Sequence, residues 1–203
     1  VEEILTKENK VVGVRCGDTS IKGKNIILTG GLWSREIAKQ IGVHLPLYAC
    51  EHYYVVTEEI SDLTPRPVMR DFDKGIYFKE DAGKMLVGWF EKNAIGCPMS
   101  NISHDFCFDE FPVNMDHIEP YLLASMGTFP MIGEVGIRTF FNGPESFTND
   151  NLHLMGPTPE IENFYVACGM NSKGIAAAGG LGKIMADWVI LMRNLCLQKF
   201  MKS

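Results

Sequence analysis

Phe164-Tyr165-Val166-Ala167-Cys168-Gly169-Met170-Asn171-Ser172-Lys173-Gly174-Ile175-Ala176-Ala177-Ala178-Gly179-Gly180 decides how the fold is read. Its first five residues form an apolar, β-prone run of strand length, Gly169 to Gly174 make a glycine-bearing turn, and a helix is expected from about Ile175 to Leu197. Strand, glycine turn and helix in immediate succession is how open α/β sheets present ligands at strand ends. The first turn of such a helix leaves N–H groups unpaired and carries partial positive charge, so it can hold an anion or an electron-rich ring edge. Small residues let backbone approach a planar ligand. Gly179, Gly180 and Gly182 equally suit close packing of helix on sheet.

The same grammar occurs near the start. Val1 to Thr6 and Val11 to Cys16 read as a hairpin turned by Lys7 to Lys10, with a short strand at Ser20 to Lys22. Asn25 to Thr29 is a continuous apolar run that suits a strand buried on both faces, ended by Gly30-Gly31. In the helix expected from Trp33 to Ile41, Trp33, Ile37, Ala38 and Ile41 fall at helical spacing, while Arg35, Glu36 and Lys39 take the outer face. Thr29-Gly30-Gly31-Leu32-Trp33 is therefore a second turn that can meet a cofactor through its backbone, with Trp33 either covering an apolar ring or filling the core.

Between these blocks the pattern changes to strand candidates broken by Pro and Gly: Leu47 to Thr57, Val68 to Asp71, Ile76 to Lys79 and Met85 to Phe90, read as an antiparallel sheet. Met115 to Phe129 carries Ile118, Tyr121, Leu122 and Met126 on one side, as an amphipathic helix should. Val135 to Phe141 reads as a strand ended by the turn signal Asn142-Gly143-Pro144. The order α/β, antiparallel β, α/β is what one domain inserted into another produces, with expected boundaries 1–46, 47–150 and 151–203. In Glu51-His52-Tyr53-Tyr54, strand alternation puts His52 and Tyr54 on one face, where they can handle protons or pack as structural residues. Asp116, His117 and Glu119 read as a solvated helix face.

Composition narrows the classes. A chain of 203 residues with 46% hydrophobic content can bury a sizeable core, and a net charge of -6 with 19 scattered Lys and Arg argues against nucleic acid as partner. The cysteines at 16, 50, 97, 107, 168 and 196 include no C-x-x-C pair, so neither a zinc site nor a redox dithiol is expected. No stretch approaches about 20 uninterrupted apolar residues, so no membrane span is expected. A P-loop, a G-x-S-x-G elbow and an early G-x-G-x-x-G are all missing from the sequence, which weakens hydrolase and nucleotide-transferase readings. The chain starts inside what reads as a strand, so sequence upstream of Val1 is expected.

Ile27-Leu28-Thr29-Gly30-Gly31-Leu32-Trp33-Ser34-Arg35-Glu36 resembles a turn of the dimethylglycine and sarcosine dehydrogenase family, with Gly-Gly in place of the family's Ala-Gly. Pro46 to Thr57, Asn142 to Thr148 and Gly169 to Gly182 resemble three further blocks of that family in the same order. The resemblance implies a D-amino-acid-oxidase-like fold: part of an FAD/NAD(P)-binding domain carrying an inserted antiparallel substrate domain, with FAD as cofactor. It implies oxidation of the C–N bond of a secondary or N-methylated amino acid by hydride transfer to flavin, with a small amine as substrate, an electron acceptor it does not name, and a mitochondrial matrix location. Carried over by position, Val1 would contact the adenosine end of FAD, and Gly30, Gly31 and Trp33 would form the second FAD segment. Gly169, Met170, Asn171, Ser172, Lys173, Gly174 and Ile175 would form the last. Tyr54 would lie near the substrate amine, with His52 as its strand neighbour. The family's dinucleotide fingerprint would lie upstream of Val1, so the 203 residues alone are expected to be inactive. Ala49 to Tyr54, Phe90 to Asn93, Met115 to Pro120 and Gly169 to Ser172 also resemble the regulatory subunit of pyruvate dehydrogenase phosphatase, which implies a non-catalytic alternative on the same fold.

Overall fold

Glu8 and Asn9 both adopt left-handed backbone, φ 52 and 57, which is the two-residue turn that folds β1 (Glu3–Lys7) back on β2 (Lys10–Cys16). The structure, a computed structural model, describes residues 1–103, 105–107 and 109–200. The chain continues through β3 (Thr19–Lys22), β4 (Ile26–Leu28), a turn of 3-10 helix at Gly31–Trp33, and α1 (Ser34–Lys39). Next come β5 (Tyr48–Thr57), β6 (Met69–Asp71), β7 (Ile76–Asp81) and β8 (Lys84–Trp89). Last are α2 (Met115–Thr128), β9 (Ile137–Phe147), β10 (Leu154–Pro157), β11 (Phe164–Cys168) and α3 (Gly174–Phe200).

The chain divides into two compact units, Val1–Tyr48 with Ser146–Ser203, and Ala49–Glu145. The first holds two sheets. One is the meander β1-β2-β3; the other has the order β10-β11-β4, in which β10 runs antiparallel to β11 and β11 runs parallel to β4. Ile4, Val11, Leu28, Ala38, Val43, Leu47, Phe164 and Val166 are in its core, the buried Ile, Val, Leu and Phe side chains each contributing roughly 1.5–3 kcal/mol of transfer energy. The second unit is a five-stranded sheet of order β6-β7-β8-β5-β9, with β6-β7, β7-β8 and β8-β5 antiparallel. Tyr53, Val55, Phe78, Val87 and Trp89 from the sheet meet Ile118 of α2 and Ile132 in its core. Trp89 Nε1 donates to Ser125 Oγ at 2.8 Å, which fixes α2 on the sheet, and the Asn114 side chain caps that helix through the His117 N–H.

Four expectations change. β4 is not buried on both faces among the described residues: Ile27 is 41% exposed, because no described element covers the face to which its side chain points. Asn142-Gly143-Pro144 is no turn, since all three continue β9. β9 is the edge strand next to β5, and an edge tolerates a proline that lacks the ladder donor. Strand β10 was not legible, because Gly156 and Pro157 dilute its apolar signal. Gly174–Leu191 of α3 has a mean hydropathy of 1.4, enough by length and composition to cross a membrane. Lys183 and Asp187, ion-paired at 2.5 Å within that stretch, would be costly in lipid.

Candidate active site

β5 alternates as a half-buried strand must. Tyr53, Val55 and Thr57 point into the core, which leaves His52 and Tyr54 on the opposite, partly covered face. Cross-strand register extends that face sideways: Tyr54 lies opposite Gly88, Gly88 opposite Tyr77, and Tyr77 opposite Arg70. A Cβ on Gly88 would fall 2.1 Å from both Cζ and the hydroxyl oxygen of Tyr77, so the missing side chain is what lets the Tyr77 ring lie across β8. Its hydroxyl thereby comes within 3.2 Å of His52 Nε2, with the two rings near parallel at 9°. Phe90 tilts against both rings, at 5.2 Å from His52 and 5.6 Å from Tyr77, and Phe141 stacks on Tyr54 at 4.4 Å. Glu145 Oε2 stands 3.9 Å from His52 Nε2.

Electrostatics give these groups distinct states. Burial lowers the His52 pKa, partly opposed by the Glu145 carboxylate, so the imidazole is neutral at neutral pH and has a counter-ion beside it when protonated. Burial raises the phenols of Tyr54 and Tyr77, with Glu110 and Asp81 adding to the shift at Tyr54 and Glu145 leading the charges that add to it at Tyr77. Both hydroxyls keep their protons. One base, two neutral phenols and one carboxylate set among aromatic rings can accept a proton from an amine and hold it.

On the core side of β5 lies a second polar group. The Tyr53 hydroxyl donates to Glu51, and Asn142 Nδ2 donates to Glu51 Oε2 at 2.8 Å and to the Pro112 carbonyl at 3.0 Å. Because both partners are acceptors, the amide orientation of the fully buried Asn142 is fixed. Burial pushes Glu91 up to about 7, and the Glu51 charge adds to it. The His117 ring packs on Tyr53 at 5.5 Å with Nε2 buried, so His117 is part of the interior and not of a solvated helix face; Asp116 and Glu119 are exposed.

The cofactor candidates gather elsewhere. β4 and β11 are parallel neighbours, and their carboxyl ends lead into Gly30-Gly31-Leu32-Trp33 and into Gly169–Ile175 respectively, so both turns sit where such sheets receive ligands. Gly31 has φ +54 with open space on its Cβ side, and Trp33 is 41% exposed, not a core tryptophan. Gly169 has φ +66, and a Cβ there would lie 2.8 Å from both Leu47 and Thr148. Asn171 (φ 50) and Ser172 (φ 62) continue the left-handed turn. Asn171 is spent internally: its Nδ2 donates to the Gly169 carbonyl at 2.7 Å, and its Oδ1 accepts from the Thr148 N–H at 2.9 Å. What remains open is backbone. The first turn of α3 carries no acidic residue, Ile175 is fully exposed, and Gly179, Gly180 and Gly182 have nothing within 4 Å of their Cβ positions. An exposed, acid-free, small-residue helix start fits a planar, electron-rich group such as a flavin. Val1 is exposed ahead of β1, and so belongs with the three-stranded meander and not with the mixed sheet. Cys168, pushed up to about 11 by burial, packs as a protonated thiol. Among the described residues there is no His, Cys, Asp and Glu cluster suited to a metal.

Sequence reasoning named His52 and Tyr54 but missed Tyr77, Phe90, Glu145 and Gly88. Alternation in Gly75-Ile76-Tyr77-Phe78 does point Tyr77 away from Phe78 and the core. Which strand it would face depends on register, which sequence does not carry.

The family described as FAD dependent oxidoreductase (DAO) matches residues 1–188. The chain is 39% identical over 191 residues, 94% of its length, to 4-methylaminobutanoate oxidase (formaldehyde-forming) of Paenarthrobacter nicotinovorans, and covers 23% of that protein. It is 33% identical over 181 residues to mitochondrial sarcosine dehydrogenase of Homo sapiens, covering 89% of itself and 20% of the relative. To the mitochondrial pyruvate dehydrogenase phosphatase regulatory subunit of Mus musculus it is 31% identical over 196 residues, 94% of itself and 22% of the relative. The chain thus spans about a fifth of the length of these relatives. Among solved structures, L-proline dehydrogenase from P. horikoshii superposes with a TM-score of 0.77 at 20% identity over 92% of this chain and 48% of that one, a likeness of fold. With strand-end turns, an acid-free helix start and a family match across nearly all of its length, the chain belongs to the DAO family of FAD dependent oxidoreductases.

Proposed function

We propose that the protein oxidises the C–N bond of a secondary or N-methylated amino acid, and that His52 takes the amine proton. The observation that carries this reading is the His52–Tyr77 contact of 3.2 Å with Glu145 at 3.9 Å, a neutral base with a phenol and a counter-ion in one aromatic-lined patch. An amine arriving as its ammonium form cannot lose hydride from the adjacent carbon until its lone pair is freed. His52, neutral through burial, accepts that proton, and Glu145 stabilises the imidazolium that results. Tyr54 and Tyr77 stay protonated and orient the amine by hydrogen bonding, while Phe90 and Phe141 keep water from the reacting carbon. FAD, the family's cofactor, would be held by the backbone of Gly30–Trp33 and Gly169–Ile175, and when bound it supplies the acceptor for the hydride. The product imine hydrolyses in water to an amine and an aldehyde. Mammalian relatives named as mitochondrial support a matrix location, and the Paenarthrobacter relative shows that the family also works in bacteria.

The similarity to the phosphatase regulatory subunit supports one other reading, a flavin-bearing regulator without turnover. Anaerobic addition of sarcosine, dimethylglycine or 4-methylaminobutanoate to the full-length, flavin-loaded protein separates them. Bleaching of the visible flavin bands by one of these amines is expected. A flavin spectrum indifferent to all three, in a protein that binds the phosphatase, would establish the regulator instead.

A further inference from the structure

We propose that Asn142 is a positioning residue for amine oxidation: its buried side chain sets β9 against β5 so that Glu145 stands beside His52 and Phe141 beside Tyr54. This rests on the amine-oxidation reading above. Side chains alternate along β9, and Asn142 points into the interior, fully buried. Phe141, Gly143 and Glu145 therefore share the other face, the one that His52 and Tyr54 occupy on β5. Three segments meet at Asn142. Its Nδ2 donates to Glu51 Oε2 on β5 at 2.8 Å and to the Pro112 carbonyl at 3.0 Å, and its backbone carbonyl accepts from the Phe111 N–H at 2.8 Å. The Glu51 carboxylate that it grips is itself held by the Tyr53 hydroxyl. Asn142 Oδ1 has no partner among the described residues, so the side chain works through its two N–H donors. β9 is an edge strand, held by the β5 ladder on one side, and at Asn142 the Phe111–Pro112 segment holds the other. The residues bound to this clamp in sequence are those that reach the site. Phe141 stacks on Tyr54 at 4.4 Å with its ring lying over Gly143, where a Cβ would fall 3.0 Å from it, and Glu145 Oε2 stands 3.9 Å from His52 Nε2. That is the outer limit of an ion pair, so a displacement of β9 by about 1 Å removes Glu145 as a direct counter-ion. The titratable groups described against His52 are the Glu145 carboxylate of β9, the Tyr77 phenol of β7 and, two residues along β5, Tyr54; the Arg70 guanidinium of β6 lies beyond Phe90. Burial lowers the His52 pKa and the Glu145 charge opposes it, so a β9 set free of its clamp leaves burial to act alone.

The test follows anaerobic flavin reduction by 4-methylaminobutanoate from about pH 4 to 9 in the full-length, flavin-loaded protein, comparing wild type, Asn142→Ala, Glu145→Gln and the double variant. Asn142→Ala should slow reduction about 10-fold and leave flavin content unchanged. It should also move the acid limb to lower pH, the direction in which Glu145→Gln moves it. In the double variant the limb should stay where Glu145→Gln alone puts it, because the counter-ion that Asn142 positions is already gone. A residue that served stability alone would lower the melting temperature and leave the limb in place. Asn142→Ser, whose hydroxyl can still donate to one acceptor, should move the limb the same way by less, and covers the case in which the alanine variant fails to fold. A limb unmoved in both Asn142 variants, or moved as far in the Glu145→Gln background as in the wild type, would overturn the role of Asn142 while leaving amine oxidation standing. If no N-methylated amine reduced the flavin of the wild type, the proposed function would fall first and this inference with it.

Discussion

His52 is neutral because the fold buries it, and this has a direct consequence for pH. As pH falls through its lowered pKa the imidazole becomes charged and can no longer accept the amine proton, so flavin reduction should show an acid limb with its midpoint below the ordinary histidine value of 6.5. Tyr54→Phe should depress turnover about 10- to 100-fold and leave flavin content unchanged, which activity and absorbance measured on one sample would show. Full activity in that variant would remove Tyr54 from the site. Glu91 obeys the opposite sign. Its folded pKa of about 7 lies above the usual 4.5, so its contribution to stability is present below about pH 4.5 and lost as pH rises through 7. Glu91→Gln should therefore raise the melting temperature at pH 8 relative to wild type, with the difference shrinking towards pH 5. A difference independent of pH would show that Glu91 is not the group responsible.

Among the elements, β5 carries both polar clusters, one on each face, and its neighbours decide what each can do. Asn142 on β9 ties Glu51 of β5 to the Pro112 carbonyl, and β9 also contributes Phe141 to Tyr54 and Glu145 to His52. Asn142→Ala removes the donor to the Pro112 carbonyl and one of the two donors to Glu51, which keeps the Tyr53 hydroxyl, and should cost about 1–3 kcal/mol in denaturant unfolding. A loss under 1 kcal/mol would mean that water replaces the amide without penalty. Gly88→Ala should displace the Tyr77 ring and lower turnover while α2 and the core stay folded, as circular dichroism would show. Most elements were legible in the sequence for physical reasons: β5 and β11 are mainly apolar runs of strand length, α2 and α3 are apolar stretches of helix length, and Lys7 to Lys10 reads as a polar turn. Asn142-Gly143-Pro144 misled because turn chemistry and an edge strand use the same residues, and only the position of β9 at the sheet edge separates them. Tyr77 and Glu145 were missed because each reaches the site through cross-strand register or from another strand.

At the scale of the molecule, the proposed function assigns the proton-handling face to the unit Ala49–Glu145 and the cofactor to the two turns at the ends of parallel strands in the other unit. The division of labour is chemical. Backbone and small side chains suit a large planar cofactor, while a register-built patch of His, Tyr, Phe and Glu suits a small polar amine. Two of the relatives are named for N-methylated compounds and a solved structure of the same fold is named for L-proline, so on the proposed function the patch on β5, β7 and β8 is where selectivity should reside. The most direct test is the rate of anaerobic flavin reduction by 4-methylaminobutanoate, followed across pH 5 to 9 in the full-length protein and in His52→Gln. The account predicts rapid bleaching in the wild type with an acid limb, and in His52→Gln a rate lower by about 100-fold or more with that limb gone. Wild-type rate and pH profile retained in His52→Gln would contradict the assignment of His52 as the proton acceptor.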